Sequence, residues 1–390
     1  MNSMVSIDSK DVSDYTRHLF EFVNLSILTT IVSILGIVSN ILNIAVFYKQ
    51  GLKSAVNISF MALSITDLIN VLLIEWVSIS SYPVLLNNPD IGILSKDVGY
   101  LTSGIPHACM SRITSWITVY MTAERCLCIA IPFHVKRLIT PSIAVLSIVA
   151  IYILTILPLI PEYLFFSLGL TNSTQFHRLK IGLVVNVKDI GLEGLTVFIY
   201  SVMMITSFIA VIFLTLILIL QLNKMSKWRK NSQVITGQVE SLKQKEKVAI
   251  RTVLVIACIL IITFTPNFIM CGVTFIVPGF SINDSLSNIF VVSISFSYLL
   301  DAVNASVNAA LYYVLNASYR TTMREMFRRE KLARKRKRGW PRSPWCRDME
   351  VDADGRDIGT VDDGSFFLEN LQDCLGSGLG WNSITSRRQS

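Results

Sequence analysis

The side chains with chemistry to offer in this chain are polar and ionisable groups set inside apolar sequence. His107, Ser111, Thr114, Thr118 and Arg125 fall within HACMSRITSWITVYMTAERCLCIAIPF, the stretch from His107 to Phe133. At about 100° per residue, all five project from nearly one side of a helix. Asp67 sits in LSITDL, and Asp301, Asn304 and Asn308 fall at i, i+3 and i+7 of a later apolar run, followed by Tyr312. Such groups can pair with one another, hold a cation or hydrogen-bond a ligand. An ionised carboxylate at the middle of a bilayer costs about 2.5–3.5 kcal/mol on insertion scales unless it is solvated or paired. The plain alternatives are a neutral, hydrogen-bonded acid at Asp67 and a satisfied interhelical histidine at His107. No metal cluster, glycine-rich phosphate loop or nucleophile constellation stands out, so an enzyme is not expected.

These groups must be positioned by helices that cross a membrane. The chain has 390 residues, of which 52% are hydrophobic and only 16% charged. A soluble domain averages about a quarter charged. Apolar stretches recur at 25–48, 56–82, 102–131, 141–166, 194–222, 248–277 and 287–316. Each reaches the roughly 20 residues that a helix needs to span a bilayer. The expected fold is therefore an all-α membrane protein, a bundle of seven transmembrane helices over residues 25–316. A polar line such as that from His107 to Arg125 must face other helices rather than lipid. Residues 1–24 form an outer segment whose Asp8, Asp11 and Asp14 rule out the basic start of a cleavable signal peptide.

The formal charge of +8 is concentrated between certain helices. Lys224, Lys227, Arg229, Lys230, Lys243, Lys245 and Lys247 follow the fifth helix, and a dense run from Arg320 to Arg338 follows the seventh. The loop after the sixth has no Lys or Arg. Placing the basic loops in the cytoplasm puts the N-terminus outside and the C-terminus inside, in a multi-pass protein of the plasma membrane. Residues 317–338 can form a basic amphipathic helix on the inner leaflet, with Tyr319, Met323, Met326 and Phe327 on its apolar side. A nucleic-acid partner is not expected. Residues 339–390 read as a disordered cytoplasmic tail in which Ser383, Thr385, Ser386 and Ser390 offer kinase and arrestin sites. Of the seven cysteines, five lie in the predicted helices and two in the tail, so no extracellular disulfide is evident.

Local signals refine the bundle. Gly36 and Asn40 share a face of the first helix and suit close helix contact. Pro158 and Pro161 break the fourth near its outer end. Pro266 bends the sixth, with Phe264 just inside the bend. The sequon at Asn24 abuts the membrane, which makes Asn172 in the second outer loop the better glycosylation acceptor.

GIVSN, LSITDL, the Glu124-Arg125-Cys126 triplet, FTP and NASVNAALYY follow one another on the first, second, third, sixth and seventh helices. In this order they resemble the signature of rhodopsin-like G-protein-coupled receptors over about residues 24–330. HACMSRITSWITVYMTAERCLCIAIPF, VNISF, KQG and SKWR are similar, more narrowly, to molluscan chemosensory receptors of that family. The resemblance implies that Arg125 meets a heterotrimeric G protein when active and pairs with Glu124 at rest. It implies that Glu246 ties the inner ends of the third and sixth helices, and that Tyr312 is an activation tyrosine. Asp67, Thr114, Asn304 and Asn308 match an internal sodium pocket; no other cofactor is implied. The chain departs from the family at Cys126, where tyrosine is usual, at Ala309, where proline is usual, and at Phe264, where tryptophan is common. The cysteines that join the third helix to the second outer loop are missing: Tyr100 stands at one end and residues 162–193 contain none.

The function so implied is a receptor that couples an outer chemical or short peptide to an inner G protein as the sixth helix moves outward. Glu75, Trp76, His107, Ser111, Arg112, Tyr298 and Asp301 are the candidate ligand-binding residues. Histidine at 107, where aminergic relatives carry aspartate, disfavours a simple amine. Arg112 suits an anionic ligand or a neighbouring carboxylate such as Glu193. The rival class is a transporter or channel using Asp67, Arg125 and Asp301 as an ion path, although no inverted repeat supports it. A retinal receptor is excluded because 287–316 contains no lysine.

Overall fold

The computed structural model describes residues 12–131, 139–173, 176–186, 190–230, 237–281 and 284–337. For 190–194, 225–230, 237–246 and 329–337 the description covers the backbone only. Two compact units divide the chain, Met1–Met323 and Arg324–Ser390. The first contains a helical bundle.

Helix α1, Asp14–Gln50, starts well before the expected span. Ser13 caps it, its Oγ accepting from the Thr16 amide at 3.2 Å, and Asp14 suits the positive end of the helix dipole. The outer turns are polar, so hydropathy does not reveal them; tertiary partners hold them. Asn288 donates to the Asp14 carboxylate and Lys96 reaches Glu21, at 2.9 and 2.6 Å. A π-helical stretch, Phe22–Thr29, marks where α1 joins the bundle. There the Thr29 hydroxyl donates to the Asn24 carbonyl at 2.6 Å, giving the widened turn a partner. The helix ends at Gly51, whose φ of 86° is one that side-chain-bearing residues rarely adopt.

Next come α2, Ala55–Ser80, α3, Ile105–Ala130, and α4, Pro141–Ile156, the last opening with a Thr140 cap and Pro141 in its first turn. After a break at Leu157-Pro158 the chain continues as the short helix Leu159–Phe165. The second outer loop is a hairpin rather than irregular chain: β1, Phe166–Asn172, pairs antiparallel with β2, Leu179–Val185, with Gly169 opposite Gly182. Then follow α5, Ile190–Lys230, α6, Gly237–Ile276, α7, Ser287–Leu315, and α8, Ala317–Lys337. Pro266 lies inside α6 as expected.

Helix α3 packs against α2, α4, α5 and α6, while α1 and α7 close the ring against α2. Six of the seven bundle helices are long and apolar enough to cross a membrane by composition alone. The exception is α3, and the reason is its place. Its polar residues face neighbouring helices at the centre, so it needs little lipid-facing surface. The outer faces of the others are apolar and exposed, as at Leu35, Leu154, Phe213 and Ile262. An inner core of Phe208, Val211, Ala257, Leu260 and Phe264 fills the space between α5 and α6.

The hairpin has no disulfide to hold it, and other bonds attach it to the α2–α3 connection. The Leu94 amide donates to the Ile181 carbonyl at 2.7 Å, the Ile181 amide to the Gly92 carbonyl at 2.8 Å, and the Leu183 amide to the Asp97 carboxylate at 3.1 Å. At the opposite end of the bundle, the Tyr319 hydroxyl of α8 donates to Asn43 at 2.6 Å. Its ring joins Phe47 and Tyr312 in one aromatic group. Burial pushes the Tyr319 phenol up to about 12, so it remains a donor.

Candidate functional site

Two polar centres lie along α3. At the outer one, His107 places both ring nitrogens against oxygens, Nδ1 at 2.7 Å from Asn70 Oδ1 and Nε2 at 3.3 Å from Asp301 Oδ2. Ser111 donates to the same Asp301 oxygen at 3.3 Å and Asn267, next to Pro266, donates to the other at 3.2 Å. Tyr298 lies against the imidazole with ring centroids 4.8 Å apart. One carboxylate of α7 therefore gathers α3 and α6, while Asn70 brings in α2. Asp301, His107 and Ser111 are all buried.

Arg112, five residues further along α3, points toward another sector, among Cys109, Tyr200, Cys271 and Asp301. Its Nη1 is buried and without a hydrogen-bond partner. Around it, Tyr200, Asn267, Cys271 and Tyr298 are only half-buried although they face the interior, which leaves open space between α3, α5, α6 and α7.

The second centre is built on Asp67, which is fully buried. Thr114 donates to its Oδ1 at 3.1 Å and Asn308 to its Oδ2 at 2.7 Å. Asn304 faces Thr263 of α6 instead, at 3.4 Å. A carboxylate beside a hydroxyl oxygen is a donor set that suits a hard monovalent cation. Among the described residues no group of three or more His, Cys, Asp or Glu converges. From Asn308 the polar path leads to Tyr312 and the aromatic group, while Asn40 anchors α1 by donating to the Ala305 carbonyl of α7 at 2.8 Å.

Near the inner end of α3, Arg125 Nη2 and Glu124 Oε1 form a buried ion pair. The Glu246 side chain lies outside the described residues, as do the tail positions from Ser383 to Ser390. Phe264 is buried in the α5–α6 core and Pro266 lies on an exposed face of α6.

Two expected ligand residues are not brought to the outer centre. Trp76 is turned outward and exposed, its indole N–H donating to Thr102 at 2.9 Å, while Glu75 faces Thr30 of α1. Both stand near the outer end of α2, on sides of that helix that do not meet His107. Asn70 and Asn267 were missed. Asn70 lies one turn beyond Asp67 on the same face, a spacing that could have revealed it. The Asn24 amide is buried against Ser295, whereas Asn172 is exposed at the end of β1.

No curated protein matches the chain. Residues 27–330, which run from within α1 through α7 into α8, match the family described as Serpentine type 7TM GPCR chemoreceptor Srw. With a seven-helix bundle that includes a polar α3 and a match over most of its length, the chain belongs to this family of G-protein-coupled chemoreceptors, and it is a multi-pass membrane protein.

Proposed function

We propose that the chain is a rhodopsin-like receptor of the plasma membrane, N-terminus outside, that binds an extracellular chemical or short peptide and activates a heterotrimeric G protein. The observation that carries this reading is that α3 bears a buried polar centre near its outer end and a buried Glu124–Arg125 pair near its inner end. A ligand that binds better to one arrangement of α3, α6 and α7 shifts the balance between two states. A change from 1:99 to 99:1 requires about 5.5 kcal/mol of differential binding.

Asp301 gives such a ligand leverage on α6 through Asn267, directly beside Pro266. Where proline removes a backbone hydrogen bond, the inner half of α6 can swing outward. Arg125, released from Glu124, then presents its guanidinium to the G protein. Asp67 and Thr114 would hold a sodium ion that favours the resting arrangement, with Asn304 and Asn308 close by. The tail would recruit kinase and arrestin after activation.

The test is basal and ligand-driven G-protein activation in cells at matched surface expression. Glu246→Ala should raise basal activity by releasing the inner end of α6, and Arg125→Ala should abolish activation. Ion currents or solute flux that persist without G protein, together with an inert Arg125→Ala, would refute the receptor reading.

A further inference from the structure

The outer centre is well satisfied except at Arg112. Asp301 accepts from Ser111 and Asn267 and faces His107, while His107 also meets Asn70. The guanidinium of Arg112, by contrast, makes no hydrogen bond or ion pair among the described residues, and its Nη1 is shut off from solvent. A guanidinium carries five donors in a planar fork and is always charged. Leaving such a donor buried and unmade costs about 1–3 kcal/mol or more. No hydrogen bond among the described residues offsets that: the neighbours are the Cys109 and Cys271 thiols, Tyr200, and Asp301, whose charge favours the guanidinium without bonding it. Tyr200 donates its hydroxyl to the Thr155 carbonyl at 3.0 Å and forms no hydrogen bond with Arg112 Nη1.

The surroundings have room. Tyr200, Asn267, Cys271 and Tyr298, which lie around Arg112, are only part-buried. Five residues separate Arg112 from His107, which places it about 7.5 Å further along α3. A group that enters beside His107 and Tyr298 can therefore reach the guanidinium with its far end.

Charge decides the class of that group. Asp301 already accepts from Ser111 and Asn267, so the guanidinium of Arg112 keeps a positive charge with no hydrogen-bonded counter-ion among the described residues. A neutral ligand leaves it, a cationic one worsens it, and a monoanion cancels it. A planar carboxylate also matches the guanidinium fork in a two-bond, charge-assisted contact.

Resting on the receptor reading above, we propose that this chain recognises a ligand by a carboxylate group that docks on Arg112 between α3, α5 and α6. The carboxylate belongs to a free organic acid or to the C-terminus of a short peptide. It completes a guanidinium that the protein leaves unmade.

Direct binding tests this separately from signalling. The full chain in lipid nanodiscs is melted with a panel of monocarboxylic acids of increasing length, their methyl esters and amides, and short peptides with free or amidated C-termini. The expected result is a melting shift with acids or free-ended peptides and none with the matched neutral forms, lost in Arg112→Gln and retained at least in part in Arg112→Lys. Because Arg112→Met removes an unmade buried charge, it should melt no lower than the parent without ligand, which shows that lost binding is not lost folding. Small acids and free-ended peptides act in separate arms and so identify the source. Equal shifts with esters and acids, undiminished shifts in Arg112→Gln, or binding confined to neutral or cationic compounds would overturn the proposal. A G-protein response to neutral ligands that ignores Arg112 sinks the carboxylate and leaves the receptor standing. Charge-selective melting with no G-protein response does the reverse.

Discussion

The contact between His107 and Asp301 ties α3 to α7, and its strength can be worked from the geometry. Asp301→Ala removes the acceptor for Ser111 and Asn267 and the carboxylate facing His107, so three polar side chains lose their partner at once. Hydrogen bonds to charged groups contribute about 1.5–3 kcal/mol in water-soluble proteins, but within membrane bundles pairs average about 0.6 and reach about 1.7. On the membrane scale Asp301→Ala should cost about 2–4 kcal/mol. His107→Ala loses the Asn70 and Asp301 contacts and the packing of Tyr298, for about 2 kcal/mol. Since both variants delete the same 3.3 Å contact, the double variant should cost less than the sum by about 1–2 kcal/mol. The assay is reversible unfolding of the full chain in mixed micelles, all four proteins under one protocol. Costs that add to within about 0.5 kcal/mol would refute the tie, because independent sites behave that way.

Other outcomes follow from separate places in the fold. A Cβ on Gly36 would run into the Ser306 hydroxyl and touch Val71, so Gly36→Val should push α1 away from α7 and α2 and cost about 1–3 kcal/mol in the same unfolding assay. Gly272→Ala, into open space on α6, should be neutral or slightly stabilising; equal damage at both positions would mean that close approach is not what Gly36 provides. Asp97→Ala should speed hydrogen exchange of β2 amides about tenfold without changing that of α3, since Leu183 loses its carboxylate acceptor; unchanged exchange would show that the backbone bonds of Ile181 suffice. If Asp67 holds sodium, adding it should raise the melting temperature of the parent and leave Asp67→Asn unmoved, whereas an equal rise in both would place any sodium effect elsewhere.

What the sequence revealed and what it concealed divide along physical lines. Bundle spans are legible because burial in lipid demands length and apolarity, and Pro266 because its ring cannot be hidden. The helix at His107 to Ala130 was legible for the opposite reason, a polar line too regular for a loop, and composition alone passes over it. The outer turns of α1 and the β1–β2 hairpin were not, because neither is fixed by its own residues. Asn288, Lys96 and Asp97 hold them, and such partners are distant in sequence. Trp76 shows a third kind of limit. Periodicity orders residues around a helix, but which side meets the bundle depends on how α2 rotates against α1 and α3. Asp67 and Asn70 settle that rotation by facing inward, and Trp76 is thereby turned to the exterior.

The two polar centres are mechanically related because they share two helices. Asp301 and Asn308 stand seven residues apart on α7, about 10.5 Å along one rigid rod. Ser111 and Thr114 stand three apart on α3. A ligand that pulls Asp301 relative to Ser111 therefore cannot leave Asn308 and Thr114 unmoved relative to Asp67, whose two oxygens they engage at 2.7 and 3.1 Å. Hydrogen bonds of that length tolerate little displacement before they break. On the proposed receptor reading, the centre at Asp67 would thus report a small shift at the outer one as a discrete change of partners. Its complete burial ensures that water cannot substitute for a lost partner and blunt the signal.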